Sequence, residues 1–309
     1  MSSQIAEPFW GEDAEISRLG RQMTGPAASD AANVTAAGQR WQAMVEAHQA
    51  QTQRLRDPAW DAGGDFRPSF VESFRAGRGR WDDAAVVDAI RPHLDADDTL
   101  VDVGAGAGRF ALPLAEIVRS VVAVEPSPVM GAALTEDAQK RGISNISLVP
   151  ARWQELPDLR GDVLFSSHMI YPLREIEALL GWMTRAARRW AGIAIFAVPP
   201  QSWIAPFWPL VHGEERLPAP HFAQLVDVLN DRGRGPVDVT LIDAEPFPLG
   251  SQDGALSRLR RRLYVVPASD ADNRLRAAMQ ELLEERDGIL VVRGAETIKL
   301  GLARWRTDR

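Results

Sequence analysis

The chain reads as an α/β fold built on a parallel sheet, and three features of the sequence say so. Apolar, strand-like runs alternate with helical stretches between about residues 99 and 198, the pattern of a parallel sheet with right-handed crossovers. The first run, Thr99-Leu100-Val101-Asp102-Val103, breaks directly into three alternating glycines, Gly104, Gly106 and Gly108, ahead of a helical segment. The ligand-holding residue types then fall at the carboxyl ends of the runs: the glycine turn, Glu125, Trp153 and the stretch from Ser166 to Tyr171. Those ends are where open α/β sheets bind ligands.

Composition narrows the class. A chain of 309 residues, 45 % apolar and 25 % charged, suits one large globular domain or a domain with an appendage. The net charge of −7 supplies no overall basic field to draw the protein to nucleic acid. With no cysteine, disulfides, thiolate metal sites and iron–sulfur clusters are excluded for these residues. No apolar run reaches the roughly 18 residues of a membrane span. Met1-Ser2-Ser3-Gln4 lacks the basic-then-apolar pattern of a secretory signal, so a cytoplasmic location is expected.

The glycine turn is the centre of the reading. Glycine tolerates positive φ and lets a ligand approach the main chain. The following segment, Phe110 to Glu116, opens a helix whose free N–H groups and dipole favour a polar ligand. Counted from Gly104, the glycines spell G-x-G-x-x-R, with Arg109 where a dinucleotide fingerprint wants glycine. Counted from Gly106 they spell G-x-G-x-x-A, ending at Ala111, a permitted dinucleotide variant displaced two residues beyond the strand. The next run, Ser120 to Glu125, is apolar throughout, as a strand buried on both faces should be, and closes on a carboxylate. A carboxylate at that end can accept bonds from both ribose hydroxyls of an adenosine.

The order acid, apolar residue, Gly-x-Gly-x-Gly at 102–108 resembles motif I of the class I S-adenosylmethionine-dependent methyltransferases. The resemblance spans about residues 83–198, including Ser147-Leu148-Val149-Pro150 as a third strand and Gly161 to Tyr171 as the fourth strand and its loop. It implies a Rossmann-like fold, with a mostly parallel seven-stranded sheet, helices on both faces and an antiparallel last strand, for which Thr297 to Trp305 is the candidate. It implies S-adenosyl-L-methionine as cofactor. Asp102 and the turn Gly104, Ala105, Gly106 and Gly108 would hold the methionine end, and Glu125, with Pro126 beside it, the ribose. Trp153 or Gln154 would meet the adenine, where many family members carry an acid and this chain has Ala-Arg-Trp-Gln. Trp153 reads equally as a core residue. Ser166 would face the cofactor from the fourth strand.

Residues 1–80 read as an N-terminal helical extension or cap, and 81–309 as the methyltransferase-like domain. Asn33 to Arg54 favours helix, with Trp41, Met44, Val45 and His48 at helical spacing as a packing face. Asp57 to Gly64 breaks the pattern, and Phe66, Phe70 and Phe74 share one helical face beyond it. Helices are expected at 84–94, 108–118, 128–141 and 174–190, and strands at 120–125, 146–149, 162–166 and 192–198. An insertion of about 199–235 begins with the proline-broken aromatic stretch Pro199 to Leu210, suited equally to a lid and to an aromatic plug. Val237 to Ile242 alternates like a strand. A helical segment of about 252–286 follows, with helices at Leu256 to Tyr264 and Asn273 to Arg286. Ile289 to Arg293 and Thr297 to Trp305 read as a hairpin around Gly294.

Methyl transfer is an in-line displacement at a sulfonium, and placing the nucleophile supplies much of the catalysis. His168 and Tyr171 are the catalytic candidates: His168 as a proton acceptor near neutral pH, Tyr171 as a partner for the acceptor or the sulfonium charge. A structural role for His168 is the alternative. The loop has no N/D-P-P-Y/F sequence of the kind that marks exocyclic amino methylation, and no metal is expected. Arg258, Arg260, Arg261 and Arg262 form the densest charge run, a candidate phosphate grip. But Leu256, Leu259 and Leu263 mark the helix's apolar side and leave most of the arginines on a solvated face, and the nearby acids Asp253, Asp270 and Asp272 dilute the field. The expected function is methylation of a small molecule at oxygen or nitrogen. The alternatives are an NAD-dependent oxidoreductase in the shifted glycine register, an RNA methyltransferase, and an inactive partner subunit. The acceptor and the oligomeric state are not legible.

Overall fold

The structure, a computed structural model, describes residues 34–56, 75, 83–233, 237–244, 249–286, 289–294 and 298–307. The phenylalanines at 66, 70 and 74 and the break at 57–64 lie outside the described residues.

Helix α1 (Ala36–Leu55) starts where the Thr35 hydroxyl accepts the Gly38 N–H. Helix α2 (Asp83–Ile90) leads into β1 (Thr99–Val103). The glycine turn and the short α3 (Ala111–Ala115) connect β1 to β2 (Ser120–Val124). Helix α4 (Pro128–Arg141) is bounded as its sequence dictates. Ser127 caps its start, proline occupies the first turn, and Gly142 at φ 68° ends it in the left-handed region. Strands β3 (Ile146–Val149) and β4 (Gly161–Ser167), helix α5 (Ile176–Ala186) and strand β5 (Ala187–Phe196) complete the alternation. Then come α6 (Phe207–His212), α7 (Phe222–Asp231), β6 (Val237–Ala244), α8 (Gln252–Arg262) and α9 (Asp270–Leu282). The described chain closes with β7 (Leu283–Arg286), β8 (Ile289–Val292) and β9 (Ile298–Arg306).

Seven strands form one sheet in the order β3-β2-β1-β4-β5-β9-β6. Strands β1 to β5 pair in parallel, while β9 runs antiparallel to both its neighbours. The antiparallel last strand expected at 297–305 is therefore present. Val124 lies opposite both Val103 and Val149, and Val103 lies opposite Ser166. Strands β1, β2, β3 and β4 thus end level with one another, which brings the loops after them to one rim.

The hairpin expectation is corrected. Strand β9 is drawn into the main sheet, and β8 pairs instead with β7 in a separate two-stranded ribbon. For the same reason the helix expected over Asn273 to Arg286 stops at Leu282, since its last four residues are that ribbon's other strand. The helix expected at 174–190 ends at Ala186, where the chain extends to pair with β4.

Alternate residues of the strands feed two cores. Leu164, Leu180, Trp182, Trp305 and Trp41 belong to one, and Leu100, Phe165, Val86, Trp190 and Leu300 to the other. Helix α1 is built into the first core. Trp41 is fully buried, and its indole N–H donates to the Leu173 carbonyl at 2.7 Å. Thr35 donates through its N–H, and its hydroxyl also bonds, to the Glu177 carboxylate, which also receives Arg232. A third apolar cluster joins the segment after β5 to the segment after β6, through Phe207, Trp208, Leu259, Leu263, Leu275 and Met279 among others. Among the described residues no helix is long and apolar enough to cross a membrane.

Candidate functional site

The glycine turn is held at the rim by main-chain bonds. The N–H groups of Gly104 and Ala105 both donate to the Val124 carbonyl, at 2.9 and 3.1 Å, and Gly108 N–H closes a turn on Ala105. Gly104, Gly106 and Gly108 all have positive φ, so alternate glycines are a backbone requirement here. Their surroundings differ. A Cβ added at Gly108 would meet Leu134 and Leu112 at 3.0–3.1 Å, and one at Gly104 would meet Met169 at 2.7 Å. One at Gly106 would meet nothing within 4 Å among the described residues. Gly108 serves packing, whereas the main chain at Gly106 is open on the side of the described residues.

Glu125 ties that open main chain to the next element. One carboxylate oxygen accepts the Gly106 N–H and the other the Ser127 N–H, both at 2.8 Å. Ser127 is the cap of α4, so a single side chain fixes the glycine turn, the end of β2 and a helix start. Two donors leave part of the carboxylate's capacity of roughly four lone-pair sites for hydroxyl groups. Burial raises the Glu125 carboxyl above its usual range, against the pull of the Ser127 and Gly106 N–H groups. Asp102, 2 % exposed in β1, is pushed up to about 7 by burial and by the nearby Glu125 charge, with a bond from Ala111 N–H acting the other way. Ala105 is buried and Pro126 half-buried beside this pair.

The remaining cofactor candidates divide. The Ser166 hydroxyl is fully buried and donates to the Val103 carbonyl at 2.8 Å, stapling β4 to β1. Trp153 is buried with its ring 5.7 Å from that of Trp182, whose N–H bonds Leu156. That is a core residue's environment, the alternative its sequence left open. Gln154 is exposed on the short helical turn after β3.

His168 and Tyr171 come together at the end of β4. His168 sits in the left-handed region at φ 56°, an uncommon conformation for a residue with a side chain, with its N–H on the Ala194 carbonyl. Its Nδ1 lies 2.8 Å from the Tyr171 hydroxyl, which also accepts the Phe196 N–H at 2.9 Å. Phe196 packs against both rings. Burial, assisted by the Arg109 charge, lowers the His168 imidazolium to about 3, so the ring is neutral at pH 7. Burial raises Tyr171 well above 10. The sequence reading missed Arg109, Met169 and Phe196 as neighbours of this loop. Arg109 follows the last glycine directly, which was a usable signal, but the reach of Phe196 from β5 had none.

The Arg258–Arg262 run is not a bare solvated face. All four arginines are half-buried, and Arg260 forks onto Asp272 at 2.6 and 2.7 Å.

Residues 100–189 match the family model for a methyltransferase domain. Over those residues the chain carries a methyltransferase domain. Its matched segment runs from β1 into the start of β5, and so contains the glycine turn, Glu125 and the His168–Tyr171 loop. A methyltransferase candidate from Bacillus halodurans C-125 has a similar fold, with a TM-score of 0.51 at 12 % identity, covering 74 % of this chain and 99 % of that one. Two 23S rRNA (uracil(1939)-C(5))-methyltransferases are similar over shorter stretches. That of Xanthomonas oryzae pv. oryzae is 36 % identical over 100 residues, and that of Pseudomonas fluorescens 34 % over 96. Each match covers 31 % of this chain and 21 % of the relative, so the chain spans about a fifth of their length. The cofactor of this methyltransferase domain is S-adenosylmethionine. The open main chain at Gly106 and the free acceptor capacity of Glu125 fit an adenosine-bearing ligand.

Proposed function

We propose that the protein transfers the methyl group of S-adenosylmethionine to an oxygen or nitrogen of a small-molecule acceptor. The observation that carries the reading is the Glu125 carboxylate clamped between Gly106 and Ser127 at the rim where β1 and β2 end level. Gly106 and its neighbours would take the methionine end and Glu125 the ribose, with Asp102 adding negative potential beneath them. When bound, the cofactor supplies an electrophilic methyl group. The chain's own residues orient the partners and exclude water.

The roof over this rim supports a small acceptor. Both inserted segments leave the sheet at carboxyl ends, of β5 and of β6, and share one apolar cluster. The end of α1 is tied to the 214–217 stretch by Gln51, which bonds Glu215 and Leu217, and by Arg54 on Glu214. Segments that leave the sheet at that rim would enclose an acceptor, and an enclosed site suits a small molecule. The relatives that act on 23S rRNA favour an RNA acceptor, but these residues include no cysteine, so cysteine-assisted attack at a pyrimidine C5 is not available to them. Arg260 is also spent on Asp272. In the shifted dinucleotide register Gly108 would have to admit pyrophosphate, and Leu112 and Leu134 fill its surroundings. A cytoplasmic setting, without nucleic acid as partner, belongs to the same proposal.

Calorimetric titration with S-adenosylhomocysteine, and separately with NADH, tests it. The expected result is saturable binding of the first only, lost in Gly106→Val and weakened at least about tenfold, or ~1.4 kcal/mol, in Glu125→Ala. Binding of NADH alone would overturn the reading. Binding of neither would leave an inactive partner subunit.

A further inference from the structure

We infer that the chain forms a two-fold dimer by pairing its edge strand β6 with β6 of a second copy, so that one sheet runs through both molecules. Strand β6 ends the strand order, and its ladder with β9 is its only pairing among the described residues. An edge strand offers a row of main-chain donors and acceptors to another chain, and proteins ordinarily blunt it with proline, charge or a covering element. Here no proline falls between Val237 and Ala244. The two acids of the strand are each neutralised by the residue directly opposite on β9, Asp238 by Arg304 and Asp243 by Lys299. Nor is the strand covered. Residues 238–241 are exposed in succession, which leaves both faces clear. Phe222 of α7 lies over Gly301 of β9, while Leu241, opposite Gly301 in the ladder, is 58 % exposed and Val239 48 %.

A second copy fits because the strand is complementary to itself. A two-fold axis normal to the sheet makes the pairing antiparallel and keeps each face on its own side, so odd residues meet odd and even meet even. Centred on Thr240, the pairing takes in residues 237–243. Val239 then meets Leu241 of the second copy, and Leu241 its Val239, while Thr240 meets Thr240. Asp238 falls opposite Ile242 and Asp243 opposite Val237, so no acid faces an acid. Apolar and threonine pairs across strands stabilise a sheet, whereas like charges directly opposite destabilise it. Neighbouring registers do worse. Centring on Leu241 sets Val239 against Asp243, and centring on Val239 runs Ile242 and Asp243 past the start of the other β6. One strand-to-strand contact lies at the small end of specific interfaces, which bury about 1,200–2,000 Å² in total, so the dimer should be reversible and depend on concentration. Nothing in this inference depends on the methyl-transfer reading.

The test is sedimentation equilibrium of the full chain over a wide range of concentration. The expected result is a mass that doubles reversibly as concentration rises, and a single-chain mass throughout for Leu241→Lys with its circular dichroism unchanged. A wild-type chain that keeps a single mass overturns the inference and leaves the edge to an extended segment of a different protein. A Leu241→Lys variant that still dimerises overturns it as well. Crosslinking reads the register separately, because the sequence has no cysteine and an introduced thiol is unique. On mild oxidation Thr240→Cys should link to its own copy, since directly opposite strand residues have Cα atoms about 4.5–5.5 Å apart, within disulfide reach. Asp243→Cys should not, because the pairing carries its two copies to opposite ends. A dimer in which Thr240→Cys fails to link, or Asp243→Cys links equally well, uses another surface and overturns the inference. Should Leu241→Lys not fold, the wild-type mass and the two thiol variants decide it.

Discussion

At the scale of single residues, the candidate site pairs two buried carboxylates whose protonation should be visible in solution. Asp102 is raised from an ordinary 3.8 to about 7, chiefly by burial. The folded protein therefore holds this proton more tightly than the unfolded chain does. The stabilisation that results is complete below pH 4 and is lost as pH climbs through about 7. Asp102→Asn cannot ionise and keeps it. The variant should thus gain on the wild type as pH rises from 5 to 8, by a few kcal/mol at most for a shift of this order. Urea unfolding at the two pH values checks this, and a constant difference would reject it. On the proposed reading the α-ammonium group of S-adenosylmethionine should favour the ionised form, so its affinity should rise over the same window. The glycines, Asp102 and Glu125 were legible in the sequence because the turn imposes its own backbone geometry on neighbouring residues. The Tyr171–His168–Phe196 contacts were not, since they join two strands whose pairing no local pattern encodes.

At the scale of elements, strands β1 and β2 were readable because they are largely buried and their runs are mostly apolar. The chain after β6 was harder to read. Leu283 to Arg286, Ile289 to Val292 and Ile298 to Arg306 are all short extended runs, and alternation says nothing about which of them pair. Sequence proximity favoured joining the last two, whereas β9 buries Leu300, Leu302 and Trp305 only by entering the main sheet. The Arg258–Arg262 run shows the same limit. A helical projection gives its apolar side, and Asp272 is near in sequence, but neither says that Arg260 and Asp272 pair. Asp272 is buried and held below the usual carboxylate range, first of all by its bonds to Arg260. Removing one partner of such a pair strands the other. Asp272→Ala should therefore destabilise the α8–α9 pairing by about 3 kcal/mol. Hydrogen exchange should quicken in α8 and α9 and leave β1 to β5 protected. Uniform loss of protection would mean that this cluster does not open separately.

At the scale of the whole molecule, the open question is whether the N-terminal helix is a detachable cap or part of the scaffold. Its sequence pattern, a Trp41–Val45 stripe on an otherwise polar helix, is compatible with either. The packing decides for the scaffold. Ala37, Trp41 and Val45 lie in the same core as α5, α7 and the inner faces of β1, β4 and β5. Glu177, Asp231 and the Leu173 carbonyl on the sheet side accept bonds from Thr35, Ala37 and Trp41. The far end of the same helix anchors the 214–217 stretch, so the helix connects the core to the segment that follows β5. Trp41→Ala tests this directly. It should cost about 3–5 kcal/mol from the lost burial, plus about 1 kcal/mol or more from the stranded Leu173 carbonyl. In a scaffold the loss appears as a single earlier unfolding transition that carries the sheet with it. In a detachable cap the sheet's own transition stays put and only α1 melts early. Following tryptophan fluorescence and far-ultraviolet circular dichroism through the same urea series distinguishes them, and coincident curves at a lower midpoint are the expected outcome.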